Sequence, residues 1–499
     1  MSKGRLEEEE AMATTADRGL DRTTFFIGGE WVAPEGDETV VALEAATGEP
    51  LGTVALGSAA DIDKAVRAAR AAFDEGPWGR STVAERVEAM RAFAAALRSR
   101  GDQTAELVSR ENGMPIELSK AFNGEAPAAL LEMYAGMVES MDLEAVQASP
   151  FGSTLVRREP VGVVGAICPW NYPQSTAIVK AAAAMAAGCT VVLKPSPDTA
   201  LDAYAIAEAA VEAGLPAGVL NIVLADREAS ATLVTHPGVD KIAFTGSTEA
   251  GRWIGAECGR LMKRCTLELG GKSAAIFLED GNVETLIGGL GMSSFMNNGQ
   301  NCTAQMRMLV PRSRYDEVVE ALVAYAEAFV VGDPLDPATT CGPMVSERQL
   351  ERVMGYIEAG RQSDARLVAG GGRPVGLDRG WFVEPTVFAD VSNDDKIARE
   401  EIFGPVMTVI PYEGDDEAVA IANDSEYGLA GSVWTADEER GIEVARRVRT
   451  GTIGVNYYIA DLAGPFGGVK ASGVGREFGP QGLESYFELK AIYAGADQL

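Results

Sequence analysis

The run Val161-Gly162-Val163-Val164-Gly165-Ala166-Ile167 is apolar throughout and dominated by β-branched and small residues, which reads as a strand buried on both faces. Ser175 to Ala187 follows as a helix, and Thr190-Val191-Val192-Leu193 as a second buried strand. A helix from about Thr199 to Ala213 comes next, then strands at Leu220–Leu224 and Lys241–Phe244 with a helical stretch between them. Repeated alternation of short apolar strands with helices predicts an α/β fold with a mostly parallel sheet covered on both faces. Such sheets bind ligands beyond the carboxyl ends of their strands, which is where the polar motifs of this chain fall.

Outward from that stretch, Gly270-Gly271 marks a change. Ser273–Leu278, Met308–Val310 and several alanine-rich helices predict a second α/β unit reaching about Gly468, with Asp333 to Pro337 and Gly370 to Gly372 as surface loops. On the amino-terminal side, Phe25 to Trp31 reads as a strand and turn. One amphipathic helix carries Ile62, Ala65, Val66, Ala69 and Phe73, and another opens on a Thr82-x-x-Glu85 capping box and stops at Gly101. The expected division is a flexible acidic tail over 1–22, a sheet unit over 23–145 and 161–270, and a second unit over 271–468. An arm over 146–160 and a terminal strand at Glu484–Ile492, within 469–499, have no evident home in either core and are expected to pair with another subunit.

Hydrophobic residues make up 46% of the 499-residue chain, enough to bury sizeable cores. With 43 Lys plus Arg against 73 Asp plus Glu, the formal charge of −30 repels a phosphate backbone, so no nucleic-acid partner is expected. No apolar run approaches the ~18 residues of a membrane span, and Met1 to Glu10 is acidic where a signal peptide would be basic. No membrane partner is therefore expected, and the expected location is cytoplasmic. The single histidine, His236, excludes a multi-histidine metal site, and Thr235-His236-Pro237-Gly238 reads as a turn. None of the six cysteines stands in a Cys-x-x-Cys pair, so no metal is expected and acid–base work falls to carboxylates, lysine or cysteine.

Several residues invite a chemical reading. Thr245-Gly246-Ser247-Thr248-Glu249-Ala250-Gly251 follows a strand and opens a helix, where small residues let a phosphate approach free amides; a plain strand–helix turn explains it equally well. Ser196 and Pro197 suit an N-cap and first helical position, but Lys194, ending a buried parallel strand, points into the ligand crevice. Cys302 lies among amides in Asn298-Gly299-Gln300-Asn301-Cys302-Thr303, whereas the other cysteines sit among apolar or small neighbours. Glu268 ends an apolar strand, where burial would raise its pKa toward a useful base; the competing reading is a buried salt bridge. Asn171 offers an amide donor between two prolines.

Together, Pro169-Trp170-Asn171-Tyr172-Pro173, Lys194-Pro195-Ser196, Phe244-Thr245-Gly246-Ser247-Thr248, Leu267-Glu268-Leu269-Gly270-Gly271-Lys272 and Gly299-Gln300-Asn301-Cys302 stand in an order and spacing that resembles the NAD(P)-dependent aldehyde dehydrogenase superfamily. Glu400 to Pro405 and Pro465 to Gly468 extend the resemblance, which runs from about Phe25 to Lys490. It implies a Rossmann-like parallel-sheet cofactor domain, a second α/β catalytic domain and a small β oligomerisation arm. It also implies Cys302 as nucleophile, Glu268 as general base, and an oxyanion hole from the Asn171 amide and the Cys302 N–H. Cofactor contacts implied are Ile167, Trp170, Lys194, Ser196, Thr245, Gly246, Ser247, Gly251, Leu269, Glu401 and Phe403. Lys180 and Glu477 match a proton path, and Tyr172, Tyr457, Tyr458, Ile459 and Phe466 suggest an apolar or aromatic substrate lining.

The expected activity is oxidation of a hydrophobic or aromatic aldehyde to the acid through a Cys302 thioester, hydrolysed rather than passed to coenzyme A because Glu268 is present. NAD is the expected cofactor, with NADP open: many relatives carry a ribose-binding glutamate where Pro197 stands, and Ala225-Asp226-Arg227 replaces a Gly-x-Gly. Arg227 either meets a 2′-phosphate or faces solvent. A homodimer or homotetramer is expected. The rival readings are a non-catalytic relative of the same fold and a cofactor-independent thiol esterase.

Overall fold

A computed structural model describes residues 20–150 and 152–494. The acidic tail of the sequence reading lies almost wholly outside them.

An eight-stranded sheet runs in the order Gly473–Val474, Arg264–Glu268, Lys241–Thr245, Val163–Ile167, Thr190–Lys194, Leu220–Ile222, Phe25–Ile27, Glu30–Val32. The five strands from Arg264–Glu268 to Leu220–Ile222 are parallel. Alternate residues pack on opposite faces. Val164, Ala166, Val191 and Leu193 meet the helices Val83–Ser99, Ala126–Glu139 and Pro173–Ala187, while Val163, Ile167, Val192 and Ile242 meet Ala59–Asp74, Arg227–Thr235 and Thr248–Leu261. Burial on both faces is why these strands read as unbroken apolar runs.

A seven-stranded sheet holds, in order, Arg366–Ala369, Thr386–Ala389, Val406–Tyr412, Arg307–Pro311, Ala274–Phe277, Gly431–Trp434 and Gly454–Val455, parallel except for the first pair. The strands Glu144–Ser149 and Gly152–Pro160 form a hairpin, and Phe487–Ala494 adds to it as a third strand. Among the described residues the terminal strand thus pairs with the arm of its own chain.

Some boundaries differ from the sequence reading for local physical reasons. The helix expected from Thr199 begins only at Ala203, after a 3-10 turn at Pro197–Thr199. The Glu111 carboxylate accepts the Leu201 and Asp202 amides at 2.8 and 3.2 Å, taking donors that a continuous helix would use. The capping-box helix ends at Ser99, just before Gly101 as expected, but a new helix, Gly101–Asn112, starts directly there, and a Cβ at 101 would meet the Gly124 oxygen at 3.2 Å. The terminal strand starts at Phe487 rather than Glu484, because Gly479–Glu484 forms a short helix. Gly473–Val474, grouped with the arm from sequence, pairs with Leu267 and Glu268 on the edge of the eight-stranded sheet.

Candidate active site

In the eight-stranded sheet the chain leaves Val163–Ile167 toward Thr190–Lys194 on one side and returns on the other as Lys241–Thr245. Strand order reverses there, which opens a crevice beyond the carboxyl ends of Val163–Ile167 and Lys241–Thr245. A cavity of about 500 Å³ fills this crevice, lined by Trp170, Asn171, Tyr172, Thr245, Gly246, Ser247, Leu269, Cys302, Glu401 and Phe403. Residues far apart in sequence thus meet in one place.

Ser247 N-caps the helix Thr248–Leu261, accepting the Ala250 amide at 3.3 Å, so the amides of its first turn border the cavity. Gly251 stands behind this turn, where a Cβ would lie 2.3 Å from Leu269 Cδ2. A Cβ at Gly270 would lie 2.4 Å from Glu401 Oε2, so glycine leaves room for that carboxylate. Glu401 accepts the Gly271 amide at 2.9 Å through Oε1, and burial pushes its pKa up to about 7. Phe403, at φ 62°, packs edge-on to Trp170 at 5.2 Å. Gln349 holds that strained backbone by donating to the Phe403 carbonyl at 2.7 Å. An amide-rimmed helix start, a free carboxylate oxygen and aromatic walls suit the phosphates, ribose and ring of a dinucleotide.

Lys194, Ser196 and Ile167 lie beside the cavity rather than on its wall. Lys194 is buried without a hydrogen bond or ion pair among the described residues, and burial pulls its pKa down to about 8. Ser196 caps the Pro197–Thr199 turn through the Asp198 amide, as read from sequence. Arg227 settles toward solvent: its side chain is 84% exposed and pairs with Glu249 at 3.3 Å.

The loop with Cys302 is pressed against Gly271, where a Cβ would lie 2.5 Å from the Cys302 carbonyl oxygen. The Asn171 Nδ2 donates to the Gln300 carbonyl at 3.0 Å, which ties the two motifs together. Burial pushes the Cys302 thiol up to about 12, reinforced by Glu401 and Glu268 and opposed by the Cys302 and Thr303 amides. The free protein therefore carries a thiol there, and a base is required to form thiolate. The other five cysteines are also free thiols, and His236 is a turn residue bonded to Asp63 at 3.0 Å.

Glu268 is 3% exposed, and neither carboxylate oxygen finds a hydrogen-bond partner of good geometry among the described residues. The buried salt bridge that competed with the base reading is absent among them. Burial raises its pKa well above the usual carboxylate range, Glu477 adds to the rise, and Lys180, Arg476 and the Gly468 amide oppose it. Space for the side chain comes from Gly467, where a Cβ would lie 2.5 Å from Glu268 Oε1. Lys180 does form a buried ion pair, with Glu477 at 2.6 Å, and donates to Thr245 Oγ1 at 2.6 Å. Burial works against the Lys180 charge, but Glu477, Cys168 and Glu268 together outweigh it and the pKa is raised.

The expected substrate residues fall in two places. Tyr172 is on the main cavity, with a buried hydroxyl that lacks a partner among the described residues. Tyr457, Tyr458, Ile459 and Phe466 line a separate cavity of about 260 Å³. Burial raises the pKa of both Tyr172 and Tyr458, and Cys302 adds to each rise, so both phenols lie within electrostatic reach of the thiol. Sequence reasoning missed Arg348, Gln349 and Arg352, which the helix Glu347–Arg361 brings to the main cavity. Their stretch reads as an ordinary charged helix face. Pro169, Thr176 and Gly270 also line it, and their places within or beside the quoted motifs were the available signal.

The family model for the aldehyde dehydrogenase family matches residues 31–492. The chain is 53% identical over 475 residues to geranial dehydrogenase of Castellaniella defragrans, covering 95% of this chain and 99% of that protein. Among solved structures, a Mycobacterium tuberculosis aldehyde dehydrogenase complexed with NAD+ superposes with a TM-score of 0.94 at 46% identity, over 96% of this chain and 99% of that one. A mutant aldehyde dehydrogenase C of Pseudomonas syringae, complexed with NAD+ and octanal, gives 0.92 at 40% identity, over 95% and 97%. The chain therefore belongs to the aldehyde dehydrogenase family, which oxidises aldehydes to acids with NAD(P).

Proposed function

We propose that this chain oxidises a hydrophobic, open-chain or aromatic aldehyde with NAD, using Cys302 as nucleophile and Glu268 as base. The observation that carries the reading is a buried carboxyl, Glu268, without a side-chain partner among the described residues and within electrostatic reach of the Cys302 thiol that lines the crevice. The aromatic residues Tyr172, Tyr458 and Phe466 and the geranial and octanal of the relatives support an apolar substrate.

In this reading Ser247 and the helix start hold the pyrophosphate, Lys194 and Ser196 the adenosine ribose, and Glu401 the nicotinamide ribose. Ile167, Trp170, Thr245, Gly246, Gly251, Leu269 and Phe403 shape the walls. The Cys302 thiol gives its proton to Glu268 as Sγ adds to the carbonyl carbon. The Asn171 side-chain amide and the Cys302 N–H donate to the oxygen that becomes anionic. A nicotinamide ring held against these walls would supply the hydride acceptor needed as the carbonyl reforms. The thioester left on Cys302 is then attacked by water whose proton passes to Glu268, the acid departs, and the sulfur is reprotonated. Lys180 and Glu477 relay the proton away from Glu268.

We take 23–145 with 161–270 as the cofactor unit, 271–468 as the catalytic unit and the three-stranded sheet as the arm. Exposed Val146, Leu489, Ile492 and Tyr493 and the open edge of Phe487–Ala494 support assembly as a homodimer or homotetramer. No helix among the described residues is long and apolar enough to cross a membrane. We place the protein in the cytoplasm, where its thiols stay reduced. Reduced-cofactor formation over aliphatic, aromatic and terpenoid aldehydes, with NAD and NADP in parallel, tests the reading. Turnover of octanal and geranial with NAD is expected, and a marked preference for semialdehyde acids would contradict it.

A further inference from the structure

We infer that Asn297, assisted by Asn112, is a positioning residue that locks the Asn171 carboxamide to the nucleophile loop and so sets the oxyanion hole. The inference rests on the role proposed for Asn171.

Asn297 is 2% exposed and Asn171 4%, and Asn112 is fully buried. The Asn297 Nδ2 donates to the Asn171 carbonyl at 3.0 Å and to the Gln300 carbonyl at 3.3 Å. The Asn171 Nδ2 donates to that same Gln300 carbonyl at 3.0 Å. These bonds close a ring that joins main chain and side chain of Asn171 to the residue two places before Cys302. From the other side, Asn112 Nδ2 reaches the Trp170 carbonyl at 3.1 Å and the Asn171 carbonyl at 3.2 Å.

The ring has a direct consequence for the amide. A carboxamide nitrogen carries two protons. With one committed to Gln300, the plane of the group is fixed, and the second N–H is the donor left for a substrate oxygen. Preorganised donors of this kind stabilise developing charge without reorganising during reaction.

Two costs mark the arrangement as maintained for something other than stability. Asn297 and Asn298 hold consecutive left-handed backbones, at φ 52° and 59°, a region that favours glycine and that asparagine tolerates best among other residues. The Asn297 Oδ1 is also buried without a partner among the described residues, because the two carbonyls dictate which way the amide faces. Asn298 braces the turn behind, donating to Gly113 and Pro343 carbonyls at 2.8 and 2.9 Å. The strain and the orphaned atom thus sit at one point, directly behind the oxyanion donor.

A double-mutant cycle on the full-length enzyme tests this. Asn297→Gly accepts the left-handed backbone freely and removes the side chain with its carboxamide. We expect Asn171→Ala to lower kcat/KM for aldehyde oxidation about 100-fold, and Asn297→Gly about 10-fold or more, as for loss or misplacement of an oxyanion donor. The double variant should fall within about twofold of Asn171→Ala, because Asn297 acts only through it. The dissociation constant for NAD, read by protein fluorescence, should stay within about twofold of wild type in all three. Asn297→Gly at wild-type rate beside a slow Asn171→Ala would overturn the inference, as would a double variant whose loss is the product of the two singles. A near-wild-type Asn171→Ala would instead overturn the role assigned to Asn171. If Asn297→Gly fails to fold, Asn112→Ala takes its place in the same cycle with the same two outcomes.

Discussion

Arg307 and Glu268 are buried to almost the same depth, 2% and 3% exposed, in opposite surroundings. The Arg307 guanidinium donates to the Lys272 carbonyl at 3.0 Å, Asn393 Oδ1 at 2.9 Å, and the Ile421 and Ala422 carbonyls at 3.0 and 3.1 Å. Burial lowers its pKa to about 10, which still leaves it charged at neutral pH. Glu268 has no such partner among the described residues, and its pKa rises well above the usual carboxylate range. A buried charge with four of its five N–H donors bonded ties loops together. A buried carboxylate without such partners takes up a proton more readily than an ordinary carboxylate, which is what a general base needs.

The sharpest break between the two regions comes from the thiol beside Glu268. Cys302→Ala should lower turnover by at least about 10⁴-fold while cofactor affinity and urea midpoint stay at wild-type values. Arg307→Met should do the reverse. It strands several acceptors, each worth about 1–3 kcal/mol when left unmade, so the urea midpoint should drop strongly while correctly folded enzyme keeps its activity. A Cys302→Ala variant that loses stability, or an Arg307→Met variant that loses only activity, would erase the contrast.

Glu268→Gln sharpens it further through pH. The folded carboxyl has the raised pKa, so at low pH both folded and unfolded chains hold the proton and there is no penalty. Above the unfolded value, about 4.3, the unfolded chain ionises while the folded one does not, and wild type is progressively disfavoured up to the folded pKa. Glu268→Gln should thus be more stable than wild type at neutral pH, by a gap that opens at up to about 1.4 kcal/mol per pH unit and vanishes below pH ~4. Denaturation midpoints against pH measure it, and parallel curves would remove the raised pKa. The smallest expected effect concerns the cofactor: Pro197→Glu should raise selectivity for NAD over NADP about tenfold, the scale of one charge-assisted hydrogen bond.

Much of this was legible in the sequence, for reasons particular residues make plain. Val163–Ile167 and Thr190–Lys194 are buried on both faces and so read as apolar runs, and Ser196 and Ser247 cap their turns by local hydrogen bonds. Thr82 and Glu85 form the capping box that their spacing foretold. What stayed hidden depends on distant partners. The helix expected from Thr199 gave way because a carboxylate 90 residues away, on Glu111, takes the Leu201 amide. Gln349 reaches the Phe403 carbonyl across 54 positions, and Asn297 reaches Asn171 across 126. Nor could sequence tell that Glu268 lacks a side-chain partner among the described residues while Glu477 has one, since the Lys180 that pairs with Glu477 lies 297 positions away.

The measurement that bears most directly on this account is rapid mixing of Glu268→Gln enzyme, NAD and a good aldehyde substrate. If Cys302 carries the acyl group and Glu268 releases it, reduced cofactor should appear in a burst of about one equivalent per subunit. A steady phase about 10²–10⁴-fold slower than wild type should follow, the range general-base catalysis supplies, with the acyl mass found on the Cys302 peptide. Wild-type steady turnover in this variant, or an acyl group on some other residue, would contradict it.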